Sequence, residues 1–302
     1  MTAALLALTV GAALAEQRND FDLTGALVPP EHIVSGGPPR DGIPAIDRPR
    51  LVTAGHAGFL KPADRVLGLA LDGETRAYPI AILNWHEIVN DTVAGRPVVI
   101  TYCPLCGTGM AFDATVAGRA RRFGVSGLLY NSDVLLYDRE SESLWSQILG
   151  RAVSGPLKGE SLAPIPLAHT TWGDWRRRHP DTAVLSTNTG YARDYGRAPY
   201  AGYADSPVVY FPTGAVDRRY HPKELVLGVA IGGVSKAYPF SELERAEGTV
   251  TDTLAGRTLT VVFDAGNQTA RALDGDREIP SVIAFWFAWH AFHPEGAVFT
   301  AP

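Results

Sequence analysis

Cysteine and methionine are nearly absent from this 302-residue chain: there are two of each, and both cysteines fall in CPLCG, as Cys103 and Cys106. With so few thiols there is no second Cys-x-x-Cys knuckle, so a metal held by the pair would need other residue types to complete its shell. Positive charge is short as well. The formal net charge is −5, and RARRF (Arg119 to Phe123) and WRRRHP (Trp175 to Pro180) are the only basic runs. A nucleic-acid or anionic-membrane surface needs clustered Lys and Arg, so neither partner is expected. Long apolar runs are missing too. VIAFWFAWHAF (Val282 to Phe292) falls well short of the roughly 20 residues that span a bilayer, and no transmembrane segment is expected. Nor is there a G-x-S-x-G, an H-E-x-x-H or a P-loop, so the commonest hydrolase readings lose their support and no nucleotide cofactor is expected.

What remains is a globular composition, 46% hydrophobic and 20% charged. The N-terminus carries an apolar run from Ala3 to Ala12, then Ala13-Leu14-Ala15 and polar Glu16. That order predicts a signal peptide over residues 1–15 and a periplasmic or secreted protein, although no Lys or Arg precedes the run. Residues 16–64 then form an N-terminal extension.

The chain repeats itself. Val66 opens VLGLALDGETRAYP and Val226 opens VLGVAIGGVSKAYP; further on, AGRPVVITY is answered by AGRTLTVVF. Short apolar runs bounded by Gly-containing turns read as strands, and IAILNWHEIV reads as a short helical piece. These features predict an α+β, predominantly β protein, with internally duplicated units packed into one pseudo-symmetric body. The first unit spans residues 65–122 and the second 225–302, and residues 123–224 link them. Within the link, NTGYARDYGRAPYAGYADSP reads as a long loop. The copies align with one extra residue, placed at Thr249. Trp85 and His86 then stand opposite Arg245 and Ala246, Cys103 opposite Asp264, Cys106 opposite Asn267 and Met110 opposite Arg271. The fold of the unit does not need the cysteines or the histidine, which points them toward chemistry.

Three readings of CPLCG compete. As a metal knuckle, a tight turn aims both thiolates to one side, with copper or zinc as the ion and His86 as the expected imidazole ligand. Met110, Asn131 and Asp133 are secondary candidates, and His290 and His293 share a helix face with nothing to place them near the sulfurs. As a redox couple, Cys103 would be the attacking thiol, but GTGMAFD after Cys106 is not a helix and the thioredoxin setting is missing. As a Cys103–Cys106 disulfide, the short loop would stabilise little. A binding module is the further class, holding a small molecule or protein on the sheets and the Tyr-rich loop.

The segments NWHEIVND, TYCPLCGTGMAFD, FGVSGLLYNSD, YDRESESLWSQ, TTWGDWRRRHPDT and RDYGR resemble a secreted bacterial domain-of-unknown-function family, number 3179. The resemblance runs from about Arg50 to the C-terminus. It implies an exported location and assigns no activity.

Overall fold

A computed structural model of the protein describes residues 17–302, so the expected signal peptide lies outside the described residues. The chain is mostly β, as the alternating patterns predict, and five similar small sheets stand in a ring like a five-bladed propeller. Among the described residues, no helix is long and apolar enough to cross a membrane.

Each repeat contributes to two neighbouring sheets. In the first, β1 (Arg65–Leu71) and β2 (Glu74–Pro79) form a hairpin that leads into α1 (Ile80–His86). After it come β3 (Ile88–Val93), β4 (Arg96–Cys103) and β5 (Thr108–Asp113), an antiparallel meander. Pro79 and Pro239 precede the helices of the two copies, where proline's missing N–H is not needed.

The duplication extends further than the aligned sequence. The linking region contains β6 (Phe123–Tyr130) and β7 (Asp133–Asp138), the centre of the fifth sheet, and then α2 (Trp172–Arg178). The second unit comprises β8 (Leu225–Ile231), β9 (Val234–Pro239), α3 (Phe240–Arg245), β10 (Thr249–Leu254), β11 (Arg257–Asp264), β12 (Thr269–Asp274) and α4 (Trp286–Phe292). Strand Ala168–Thr171 pairs with β1 as Val282–Phe285 pairs with β8. Strand Ala183–Leu185 runs parallel to β2 as Ala297–Val298 runs parallel to β9. Between these strands, WGDWRRRHP of α2 matches WFAWHAFHP of α4. Trp175 packs on His179 with ring centroids 4.1 Å apart, and Trp289 on His293 at 4.0 Å.

The fifth sheet is therefore an insertion into the first unit. Strand Ala163–Ile165 returns to pair with β5, just as Arg277–Ile279 pairs with β12. In the second unit the connection is the turn Gly275-Asp276; in the first it is residues 114–162, which carry the whole inserted hairpin. The cores repeat accordingly. Leu67, Leu69, Tyr78, Leu83, Val89 and Ile100 fill the first unit; Leu227, Val229, Tyr238, Leu243, Val250 and Val261 fill the second.

Helix α2 is anchored by Asp174, which is nearly buried. Its carboxylate accepts from Thr170 Oγ1 at 2.9 Å and from Arg178 Nη2 at 2.6 Å, while Thr171 caps the helix through the Asp174 amide. Burial opposes ionisation here, but the bonds from Arg178 and Thr170 outweigh it and hold the carboxyl below its ordinary value near 3.8. A lowered folded-state pKa contributes stability above the ordinary value and loses it as pH falls through the lowered one. Asp174→Asn is expected to cost about 1.5–3 kcal/mol at pH 7, with the gap to the wild type closing below about pH 4. Denaturant unfolding at the two pH values checks both halves of the statement.

Candidate metal centre

Two turns build the centre. The first follows β4: Cys103 is its last residue, and Pro104 to Gly107 reverse the chain into β5, where Thr108 pairs with Cys103. Gly107 has φ +62 and sits against the Phe285 ring, where any Cβ would come 3.0 Å from the ring. The Cys106 carbonyl accepts from the Phe285 amide at 2.8 Å and from Thr108 Oγ1 at 3.1 Å. The second turn joins β6 to β7. Asn131 and Ser132 both take positive φ, 52° and 67°, as a tight two-residue hairpin requires. That geometry aims the Ser132 carbonyl at the sulfurs, with Cys106 Sγ donating at 3.3 Å and Cys103 Sγ at 3.9 Å. It also starts β7 with the Asp133 side chain pointing inward.

Cys103, Cys106 and Asp133 thereby place one ligand atom each within 4.8 Å of one another. All three are 1% exposed or less, and both cysteines are free thiols. Asp133 Oδ2 accepts from the Ile148 amide at 3.2 Å, but Oδ1 has no partner, and neither does the buried Ser132 hydroxyl. The Tyr-rich loop covers the cluster. Tyr203 is 2% exposed and its hydroxyl is unpartnered; Tyr200 packs beside it. Buried Lys223 pins this stretch by donating to the carbonyls of Tyr203, Ser206 and Val208, with its ammonium over the Tyr203 ring.

The expected ligand His86 does not join the sulfurs. It is fully buried at the end of α1, with Nδ1 2.7 Å from the Pro44 carbonyl and Nε2 2.7 Å from the Tyr195 hydroxyl. A carbonyl only accepts, so Nδ1 carries the proton and Nε2 accepts from Tyr195, leaving no lone pair for a metal. Burial lowers its pKa in keeping with a neutral ring. Of the secondary candidates, Asp133 enters the set. Asn131 is spent, donating to the Ala291 carbonyl and accepting from the Gly214 amide. Met110 lines an apolar cavity with Ile148, Trp289 and His293, and His290 stacks on Trp286.

The next residue after His86 ends the helix. Glu87 caps α1 with φ 57 and ψ −31, outside the usual left-handed basin and a strain of about 1–3 kcal/mol for a residue with a side chain. The residue is 7% exposed. Its carbonyl accepts from the Tyr102 amide at 2.7 Å; in the second unit the same bond runs from Phe263 to Gly248. Ile88 opposes Thr101 as Thr249 opposes Val262, so the extra residue of the second copy precedes Thr249, and Glu87 corresponds in space to Gly248.

Burial shifts the acids of this region. Burial pushes Asp133 up to about 7 and, with Asp133 beside it, pushes Glu87 up to about 8. Burial raises both thiols too, Cys106 further than Cys103 because the second sulfur adds to it.

Fold and site together define a propeller-like, internally duplicated β protein with a buried dithiol–carboxylate cluster. The family described as Protein of unknown function (DUF3179) matches residues 40–278, and the chain belongs to it. No curated protein and no solved structure matches the chain.

Proposed function

We propose that the chain is an exported metal-binding protein that holds a zinc-class divalent ion through Cys103, Cys106 and Asp133. One observation carries the reading: three ligand atoms from two separate turns converge within 4.8 Å in a fully buried pocket. The carboxylate faces the two thiols, whose hydrogen bonds lower its pKa against the larger upward push of burial, and a divalent cation would take the place of their protons. The carboxylate selects the ion. Two soft thiolates alone suit copper(I), but an oxygen donor beside them suits zinc. Export rests on the N-terminal apolar run and small-residue boundary. Burial weighs against thiol exchange with a protein partner, because the attacking thiol of such a couple is exposed and acidified, and these are neither.

Elemental analysis of the protein isolated from the periplasm tests the reading, beside a thiol count on the same sample. About one zinc per chain is expected, with neither thiol reacting until a chelator is added. No metal, with two thiols appearing only after reduction, would end the metal reading in favour of a disulfide.

A further inference from the structure

We propose that the cleft between β5 of the first unit and α4 of the second binds a small uncharged aromatic molecule carrying one hydroxyl or N–H group, such as a phenol. The inference stands apart from the metal reading and does not rest on it.

The duplication makes two clefts of this kind, because each unit's meander meets the other unit's tryptophan helix. Strand Val282–Phe285 lies against β5, and strand Ala168–Thr171 lies against β12. Each cleft holds about 240 Å³. The strand pairings fix which positions correspond. Met110 opposes Thr101 as Arg271 opposes Val262, and Pro164 opposes Phe112 as Glu278 opposes Leu273. In the second cleft these positions are charged and paired: Arg271 stands 4.0 Å from Glu278, and beside them Arg178 binds Asp174 at 2.6 Å. In the first cleft Met110 and Pro164 replace both charges, and among the described residues that line it none is a Lys, Arg, Asp or Glu. The inserted segment extends the apolar wall with Ile148, Leu149 and Leu162, for which the second unit has no counterpart. The fold therefore builds the cleft without requiring it to be apolar. An apolar wall open to water is unfavourable to keep, and an apolar ligand body relieves it.

The lining narrows the ligand. An apolar cavity of roughly 150 Å³ takes a benzene ring, so about 240 Å³ takes a ring with a substituent. Trp289, Phe112 and the Met110 thioether favour an aromatic body over an aliphatic one. His293 is the one titratable side chain among the described lining residues. Its ring lies on Trp289 with centroids 4.0 Å apart, and burial pushes its pKa down to about 4. A neutral imidazole keeps a lone pair that accepts from a hydroxyl or N–H, and it offers no charge to hold an ionised ligand.

Calorimetric titration of the full chain tests the proposal, with p-cresol as the probe and toluene and 4-methylbenzoate as comparisons. Wild-type protein should bind one p-cresol per chain with a dissociation constant of about 1 mM or lower, as a well-fitted ligand of so few atoms does. Toluene should bind more weakly and 4-methylbenzoate not measurably. Ala230 sits at the exposed rim of the cleft, so Ala230→Trp fills it without touching the core and should weaken p-cresol by more than about ten-fold. Ala230→Leu, a smaller filler, keeps the test open should the tryptophan variant not fold. His293→Phe keeps a ring on Trp289 but removes the lone pair; it should weaken p-cresol by about 2–10-fold and leave toluene unchanged. Wild-type protein that binds no p-cresol at millimolar concentration, or a folded Ala230 variant that binds it as the wild type does, overturns the site. A His293→Phe variant with no selective loss of p-cresol overturns the polar contact and the ligand class drawn from it.

Discussion

Cys106→Ser is expected to remove the metal and much of the thermal stability of the loaded protein in one step, while leaving the metal-free protein almost unchanged. Cys106 is fully buried, so its replacement has no solvent-exposed way to compensate. The serine hydroxyl can still donate to the Ser132 carbonyl, which Cys106 Sγ reaches at 3.3 Å, so the apo fold keeps its local contact. What the hydroxyl cannot supply is a thiolate, and a hydroxyl stays protonated where a thiol beside a cation does not. Binding of a structural zinc ion contributes on the order of 10 kcal/mol to the folded state, and the loss of one of its soft ligands forfeits a large part of that. Calorimetric unfolding of both proteins with zinc and with chelator is the measurement. The wild type should lose many degrees on chelation, and Cys106→Ser should show one chelator-independent transition near the wild-type apo value. A variant that retains one zinc per chain and the full chelator-sensitive shift would sink the assignment of Cys106.

The second large effect concerns the packing device that the two units share. A Cβ added at Gly68 would lie 2.3 Å from the Trp175 ring, and one at Gly228 would lie 2.2 Å from the Trp289 ring. Neither glycine has a positive φ, so contact and not backbone strain dictates the residue. Each lets a tryptophan from α2 or α4 lie flat on the first strand of its unit. Gly68→Ala and Gly228→Ala are each expected to destabilise by about 3 kcal/mol or more, at or beyond the upper end of ordinary overpacking. Trp175→Phe alone should also destabilise, by opening a cavity, yet it should recover part of the Gly68→Ala loss when the two are combined. Single alanine variants within about 0.5 kcal/mol of wild type in denaturant unfolding would refute the proposed contact.

Much of this architecture was legible in the residues, because strand hairpins announce themselves locally. VLG, AYP and AGR recur with their turns, and β1–β5 and β8–β12 repeat the same antiparallel pairings. The long Tyr-rich loop also held no surprise: between Leu185 and Leu225 the described chain has only turns and bends. The rest was hidden by insertion and by a helix end. WGDWRRRHP and WFAWHAFHP occupy matching places, but residues 114–162 separate the first from its unit, so the equivalence escaped a linear alignment. At the site, the position before β3 pointed to His86 as the imidazole ligand, but the ring ends the helix facing Pro44 and Tyr195 and never meets the sulfurs.

Both turns of the centre are tied to the end of the chain. The Phe285 amide holds the Cys106 carbonyl, and the Asn131 side chain, at the head of the carboxylate turn, holds the Ala291 carbonyl. The cluster is therefore braced by the C-terminal sheet as well as by its own turns. On the proposed metal reading, loosening that sheet would weaken the hold on the ion, while a bound ion would stabilise the packing of that sheet against the cluster.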